Sequence, residues 1–209
     1  IADCVKKGVP HDPKTCNGPH FGGTSHAGLI NEKTLKTLKQ IGVTYLDYGL
    51  EHWDNKILKN LGKGATASAN KKAIKLTLDA GISPIPNQII MFPDETWDSL
   101  NTMLDAWEDT KIVTSPFICT PYPGAEWYIK YKDMILDQYN GSLEEFINDL
   151  EDATKVTALI TKNFTVAEAV GIQNIMKEAA ISGNFVNAKR LLKNSRIMKE
   201  KQIPMQENI

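Results

Sequence analysis

Residues 42–64 place the strongest constraint on the fold of this chain. They begin with a glycine followed by β-branched, aromatic and aliphatic residues, which is the pattern of a β-strand. Because side chains alternate along a strand, one face receives Thr44, Leu46, Tyr48 and Leu50, and the other receives Tyr45, Asp47, Gly49 and Glu51. The first face suits packing under helices. The second carries two carboxylates, and an unpaired buried carboxylate is costly.

The polar face of this strand is therefore expected to line a wet or ligand-binding interior. Gly49 has no Cβ, so a ligand can approach the backbone there. Glu51 stands at the carboxyl end of the strand, where α/β folds place their chemistry. The alternative is a strand at the edge of a sheet whose carboxylates simply reach solvent.

Strand and helix patterns alternate along the rest of the first part of the chain. Further strands are predicted over residues 82–92 and 112–120, and a short strand is predicted near Phe21. The helices between them have candidate N-caps at Asn31, Asp54, Thr66 or Ser68, and Asp94. The helix after Asp94 carries an apolar stripe of Trp97, Leu100, Leu104 and Trp107.

Beyond Tyr128 the pattern is helical. Thr165 and Glu168 form a capping box, and Asn184 is a candidate cap for a last helix. Strands that alternate with helices imply parallel pairing. We therefore predict an α/β fold: a partial (β/α) TIM-like barrel of parallel strands over residues 1–140, with a helical C-terminal extension over residues 141–209.

The composition excludes several classes of function. The chain has 24 basic and 25 acidic residues, so no overall field attracts nucleic acid or an anionic membrane. Its three cysteines, Cys4, Cys16 and Cys119, show no disulfide framework, and no secretory or transmembrane segment is present. We expect a cytoplasmic protein without nucleic-acid or membrane partners. Because the chain opens with Ile1 inside an amphipathic pattern, we also expect a piece of a longer protein.

The spacing of the residues argues against several common kinds of functional site. The glycines around Lys63 do not form a phosphate loop, because Ile57 occupies the position of the first glycine. No dinucleotide-binding GxGxxG follows a strand, and no Ser–His–Asp order indicates a hydrolase. A zinc site is a further alternative, although its spacing matches no common pattern; its residues would be His11, Cys16, His20 and His26.

Polar residues at strand ends remain the candidates for chemistry. Glu51 follows the first strong strand, Asn87 lies within the second, and Cys119 and Thr120 follow the third. An amide at Asn87 needs partners, so it is either paired within the barrel or offered to a ligand. Lys63 lies between glycines just past a helix, where a flexible cation can reach back to the strand ends.

Four motifs in order, GLEH, LKNLGKG, NQIIMFPDET and TPYPG, resemble the C-terminal half of a radical SAM core. The resemblance is strongest to enzymes in which this core follows a cobalamin-binding domain, and it covers about residues 20–130. It implies that Glu51 contacts S-adenosylmethionine (SAM), that Lys63 meets the SAM carboxylate, and that Asn87 binds the ribose. It assigns no catalytic residue to this segment.

The resemblance also implies that main-chain groups at Met91 and Cys119 hold the adenine, and that Thr24 ends the preceding strand. Three positions depart from the family pattern: His52 replaces a serine, while Met91 and Asp94 each replace a glycine. The CxxxCxxC motif that holds the family's [4Fe-4S] cluster is absent, so the cluster ligands are expected outside this segment. No metal ligand is assigned within it.

The resulting functional hypothesis is a fragment of a radical SAM enzyme, comprising strands three to six of its core. With an upstream [4Fe-4S] cluster, the full-length enzyme would generate a 5′-deoxyadenosyl radical from SAM. The implied partners are SAM, an unknown substrate, cobalamin in an upstream domain, and a reductant protein such as flavodoxin or ferredoxin. Two alternatives stay open: a non-catalytic, barrel-derived binding or scaffold module, and an ordinary α/β-barrel enzyme with Glu51 as general base.

Overall fold

The computed structural model describes residues 21–112, 114–150 and 153–202. Within them the strands are β1 (Phe21–Ser25), β2 (Val43–Glu51), β3 (Ser83–Ile90) and β4 (Phe117–Ile118). The helices are α1 (Glu32–Gln40), α2 (Asn55–Asn60), α3 (Ala67–Asp79), α4 (Trp97–Thr110), α5 (Glu126–Lys130), α6 (Lys132–Gln138), α7 (Leu143–Asn148), α8 (Val166–Ser182) and α9 (Phe185–Gln202), with a 3₁₀ turn at Ala27–Leu29.

The four strands pair in the order β1-β2-β3-β4, and each pair is parallel. The predicted fold class, parallel strands alternating with helices as in part of a (β/α) barrel, is confirmed. The chain divides into two compact units, and the division falls within β3. The first contains the described residues up to Gln88 and also Thr110–Thr114; the second contains the remainder.

In the first unit, β2 has the two faces that its alternating sequence predicts. Leu46, Tyr48 and Leu50 are buried, whereas Tyr45 is exposed. The Tyr48 hydroxyl lies 2.7 Å from the Thr77 hydroxyl on α3, and burial raises the pKa of Tyr48. This bond attaches the buried face of β2 to α3 without leaving a hydroxyl unsatisfied.

Local sequence signals also determine where the first three helices begin. Asn31 accepts a hydrogen bond from the Thr34 N–H, and Thr66 accepts one from the Ala69 N–H. Asp54 accepts hydrogen bonds from the Lys56 and Ile57 N–H groups in the first turn of α2. These three N-caps are confirmed, with Thr66 rather than Ser68 at the start of α3.

In the second unit, the predicted N-cap at Asp94 is wrong. Helix α4 begins at Trp97, and Thr96 and Ser99 each accept a hydrogen bond from the other's N–H, at 3.0 and 2.8 Å. The apolar stripe is otherwise as expected, because Leu100, Leu104 and Trp107 are fully buried. Trp97 is only half-buried and packs edge-on against Phe164.

The third predicted strand, residues 112–120, is much shorter than expected. Only Phe117 and Ile118 form β4, and they pair with Ile89 and Ile90. Pro116 has no N–H to donate to a strand ladder, so pairing begins after it. The Pro116 carbonyl is instead satisfied by the Gln173 side chain at 3.1 Å.

The described residues after position 141 contain helices as their regular elements, namely α7, α8 and α9. The predicted capping box is present at the start of α8, where Thr165 and Glu168 exchange hydrogen bonds. Asn184 caps the start of α9 through the Asn187 N–H, and the helix extends to Gln202. The predicted domain boundary near residue 140 stays a prediction.

We expect Thr165→Ala to lower the free energy of unfolding by about 1 kcal/mol, because it leaves the Glu168 N–H at the start of α8 without its partner. Urea denaturation of the chain, monitored by circular dichroism, would measure this loss. Thr165→Ser keeps the hydroxyl and is the control. Equal stability of Thr165→Ala and wild type would contradict the assigned cap.

Glu168 should make this stability depend on pH. Burial raises the pKa of Glu168, but hydrogen bonds from Thr165 and Lys199 outweigh burial and lower it below the ordinary value of 4.5. The stabilisation is therefore complete above pH 4.5 and is lost as the pH falls through the lower folded-state pKa. Denaturation midpoints across this range should fall less steeply in Glu168→Gln than in wild type. An identical pH dependence would refute this role of Glu168.

Candidate functional site

The carboxyl end of β2 has an unusual backbone conformation. Glu51 has a φ of 60°, in the left-handed region that residues with a Cβ rarely adopt. The His52 N–H donates to the Leu50 carbonyl at 2.8 Å, which closes a tight three-residue turn around Glu51. Such conformations cost about 1–3 kcal/mol and persist where the surrounding structure holds them.

The Glu51 carboxylate forms an ion pair with the Lys63 ammonium group. The Glu51 side chain is 11% exposed and the Lys63 side chain is 43% exposed, so the acid is shielded while the base reaches solvent. Lys63 lies in the loop after α2, between two glycines that both adopt positive φ. The cation thus reaches back to the end of β2, as its position in the sequence predicts.

The ion pair lies directly over the backbone of Gly49. A Cβ at this position would lie 2.8 Å from the Glu51 carboxylate and 3.3 Å from the Lys63 ammonium group. A side chain at position 49 would therefore collide with the acid. Glycine provides the space above the strand, and the Glu51–Lys63 pair occupies part of that space in this structure.

His26 holds the main chain of Lys63. Its Nδ1 accepts a hydrogen bond from the Gly28 N–H at 3.1 Å, and its Nε2 lies 3.1 Å from the Lys63 carbonyl. Because Nδ1 is an acceptor, Nε2 is the ring nitrogen that can donate a hydrogen bond to that carbonyl. Both ring nitrogens are thus engaged in shaping the loop that carries Lys63.

Asn87 and Thr24 belong to the same first unit. Asn87 pairs in register with Gly49 across β2 and β3, and Thr24 pairs with Asp47 across β1 and β2. Residues paired in a parallel sheet point to the same side, so both share the polar face of β2. Asn87 is half-buried and Thr24 is exposed. The structure therefore brings Asn87 beside the glycine under the ion pair.

Met91 and Cys119 belong to the second unit. Met91 has a φ of 67°, which explains why glycine is usual at this position in the resembling family, and its side chain is fully buried. Its N–H donates to the Glu95 carboxylate at 2.9 Å, and the Ser99 hydroxyl donates to the same carboxylate. The buried Cys119 donates its N–H to the Ile90 carbonyl at 2.8 Å. Both N–H groups are therefore already engaged.

Sequence reasoning missed one buried residue at the end of β2, Asn70 on α3. Its amide donates to the carbonyls of Leu50, at 3.0 Å, and of His52, at 3.2 Å. These two carbonyls flank Glu51. A lone asparagine within an amphipathic helix carries no local signal of this role, since its partners lie 20 and 18 residues earlier in the chain.

The described residues contain no group of three or more His, Cys, Asp or Glu side chains that could hold a metal ion. Of the four residues in the zinc alternative, His26 alone is described; His11, Cys16 and His20, like Cys4, lie outside the described residues. None of the described helices is long and apolar enough to cross a membrane.

Comparison with known proteins agrees with the motifs. The family model of the radical SAM superfamily matches residues 5–106. An uncharacterized methyltransferase from Pyrococcus horikoshii is 32% identical over 102 residues, which are 48% of this chain and 22% of that protein. A putative methylthiotransferase from Methanocaldococcus jannaschii is 34% identical over 101 residues, 46% of this chain and 22% of the relative. The chain thus spans about a fifth of these relatives.

A solved structure shares the fold. The radical S-adenosylmethionine methyltransferase TsrM from Kitasatospora setae, with cobalamin and a [4Fe-4S] cluster bound, superposes with a TM-score of 0.51 at 17% identity. The match covers 65% of this chain and 27% of TsrM. The likeness to TsrM concerns the fold alone, whereas the sequence match is to the family model: residues 5–106 of this chain match the radical SAM superfamily.

Proposed function

We propose that this chain is the SAM-binding part of a longer radical SAM enzyme. The observation that carries the proposal is the Glu51–Lys63 pair above Gly49, within the segment that matches the radical SAM superfamily. A shielded carboxylate beside a solvent-reaching ammonium group is complementary to an amino acid zwitterion, which has one group of each charge. SAM has such an amino acid moiety.

Binding would separate the two partners. Lys63 would turn to the SAM carboxylate, and Glu51 would accept a hydrogen bond from the amino acid moiety or from the ribose. One ion pair within the protein is thereby replaced by two contacts with the ligand. Charge-assisted hydrogen bonds of this kind contribute about 1.5–3 kcal/mol each when they are shielded from water.

Asn87 supports the same site. It lies on the face of β3 that continues the polar face of β2, in register with Gly49. Its amide can both donate to and accept from a ribose hydroxyl. Thr24, two register positions earlier on the same face, stays a prediction. Adenine contacts at Met91 and Cys119 also stay predictions. Because the N–H groups of both residues are already engaged, their carbonyl oxygens would make those contacts.

The residues present do not fit a [4Fe-4S] cluster. The full sequence has three cysteines and no CxxxCxxC motif, and Cys119, the cysteine among the described residues, is buried. We therefore propose that the cluster ligands lie outside this sequence, in the parent enzyme. In the parent enzyme such a cluster would supply the electron for reductive cleavage of SAM. A reductant protein such as flavodoxin or ferredoxin would deliver it, in the cytoplasm.

The names of two relatives support a narrower proposal for the class of reaction. Both curated relatives have names of transferases, one for methyl and one for methylthio groups. We propose that transfer of such a one-carbon unit is the reaction to test first. Cobalamin, which TsrM binds, would belong to a separate upstream domain of the parent enzyme.

Two other functions are distinguishable by experiment. A scaffold module would lack a CxxxCxxC motif in the coding sequence upstream of Ile1, whereas the enzyme requires one. An ordinary barrel enzyme with Glu51 as general base would show no iron–sulfur absorbance in the full-length protein. The Lys63 contact favours the radical SAM proposal, because an acid paired with a lysine offers one group of each charge to a zwitterionic ligand.

We expect Glu51→Gln and Lys63→Ala each to weaken SAM binding by about ten- to a hundredfold in the reconstituted full-length protein. Each change removes one charge-assisted contact with the cofactor. Isothermal titration calorimetry with SAM would measure the dissociation constants. Lys59→Ala is the matched control, since it removes an exposed lysine four residues before Lys63. Wild-type affinity in both Glu51→Gln and Lys63→Ala would defeat the assignment.

We expect this segment alone to bind no [4Fe-4S] cluster. Three scattered cysteines do not supply three closely spaced thiolates. Anaerobic reconstitution with iron and sulfide, followed by iron analysis, tests this, with the full-length protein treated in parallel as the positive control. About four irons per chain of the isolated segment would contradict the expectation.

A further inference from the structure

Asn70 connects helix α3 to the main chain on both sides of Glu51. It is completely buried, and its amide nitrogen donates to the Leu50 and His52 carbonyls at 3.0 and 3.2 Å. Leu50 and His52 are also the residues that close the tight turn around Glu51. One side chain therefore attaches to both ends of a three-residue turn whose centre is the proposed SAM-binding acid.

The conformation of Glu51 explains why such an attachment is needed. With a φ of 60°, Glu51 is held in a conformation that is unfavourable for a residue with a Cβ. Without the amide, the Leu50 and His52 carbonyls would lose buried donors, and the chain could relax toward an extended end of β2. In an extended strand the side chain of residue 51 would leave its position above Gly49 and lose its contact with Lys63.

The lack of a partner for the Asn70 amide oxygen, within the described part of the chain, supports the same conclusion. This buried Oδ1 atom has no hydrogen-bond partner among the described residues. A buried acceptor without a partner is destabilising. The benefit of an asparagine here therefore lies in its two donated bonds, which both act on the turn at Glu51.

A second buried polar residue on α3 provides a comparison. Thr77 is also completely buried and also attaches α3 to β2, through the Tyr48 hydroxyl. It makes a further bond to the Ala73 carbonyl, so its hydroxyl is satisfied. Thr77 contributes to packing of the same helix on the same strand, but it makes no contact with the turn.

We propose that Asn70 is a positioning residue that holds the left-handed turn at Glu51 and so aims the Glu51 carboxylate at the cofactor. The inference rests on the proposed function, because it gives Asn70 its effect on SAM through Glu51. It also predicts a property of the protein without cofactor: the hydrogen bond from the His52 N–H to Leu50 should depend on Asn70.

The experiment compares Asn70→Leu, which keeps the shape but removes both donors, with Thr77→Val in the reconstituted full-length protein. Asn70→Leu should raise the dissociation constant for SAM by about tenfold, whereas Thr77→Val should stay within about twofold of wild type. Hydrogen exchange of the His52 amide, measured without SAM, should accelerate about tenfold in Asn70→Leu alone. Both variants are expected to lower the melting temperature, so stability does not distinguish them.

A double-mutant cycle separates positioning from general destabilisation. In a Glu51→Gln background, Asn70→Leu should cause no further loss of SAM affinity, because its effect passes through the missing carboxylate. Additive losses would overturn the proposal, as would unchanged His52 exchange in Asn70→Leu. If Glu51→Gln binds SAM like wild type, the proposed role of Glu51 fails, and the exchange measurement still decides whether Asn70 holds the turn. If Lys63→Ala also binds SAM like wild type, the proposed function fails as well.

Asn70→Ala covers the case in which leucine is not tolerated. It removes both donors without placing methyl groups beside the two carbonyls, and it should reproduce the loss of affinity and the faster His52 exchange. If neither variant folds in the full-length protein while Thr77→Val does, Asn70 is required by the fold as a whole. That result would overturn its specific role at Glu51.

Discussion

Parallel pairing of β2 with a strand on each side is the constraint on which the candidate site depends. Because β1 and β3 both pair with β2, β2 cannot turn about its own axis without breaking its hydrogen bonds to the neighbouring strands. Its apolar residues, including Tyr48, are buried, which obliges Asp47 and Gly49 to share the opposite face. Glu51 follows a register shift between β2 and β3, and its left-handed turn keeps it over Gly49. Burial of the apolar face therefore fixes the orientation of β2 and directs its polar groups toward the candidate site.

At the carboxyl ends of two strands, a residue other than glycine is held at positive φ by similar hydrogen bonds. Glu51 after β2 and Met91 after β3 both have positive φ although neither is glycine. In each case a buried side chain bonds to the main chain at the turn: Asn70 at Glu51 and the Glu95 carboxylate at Met91. Such bonds offset the unfavourable backbone conformation. They also give Glu95, in the motif PDET, a structural role that requires no ligand.

The site combines a shielded acid with a solvent-reaching base, which suits a zwitterionic ligand. Glu51 is fixed through its backbone and shielded, whereas Lys63 is half-exposed on a glycine-bounded loop that His26 anchors. The acid can therefore keep its position while the lysine moves to a new partner. The match of residues 5–106 to the radical SAM superfamily suggests SAM as that partner in the proposed function.

Much of the fold and part of the site follow from sequence alone, because period-2 alternation and N-caps depend on residues only a few positions apart. The faces of β2, the caps at Asn31 and Asp54, the capping box at Thr165, and the reach of Lys63 toward the strand ends are of this kind. Tertiary structure decided the rest. Pro116 shortened β4, and Asn70 and His26 acquired their roles through partners distant in sequence. Such hydrogen bonds leave no local pattern, since they exist only after the helices pack on the sheet.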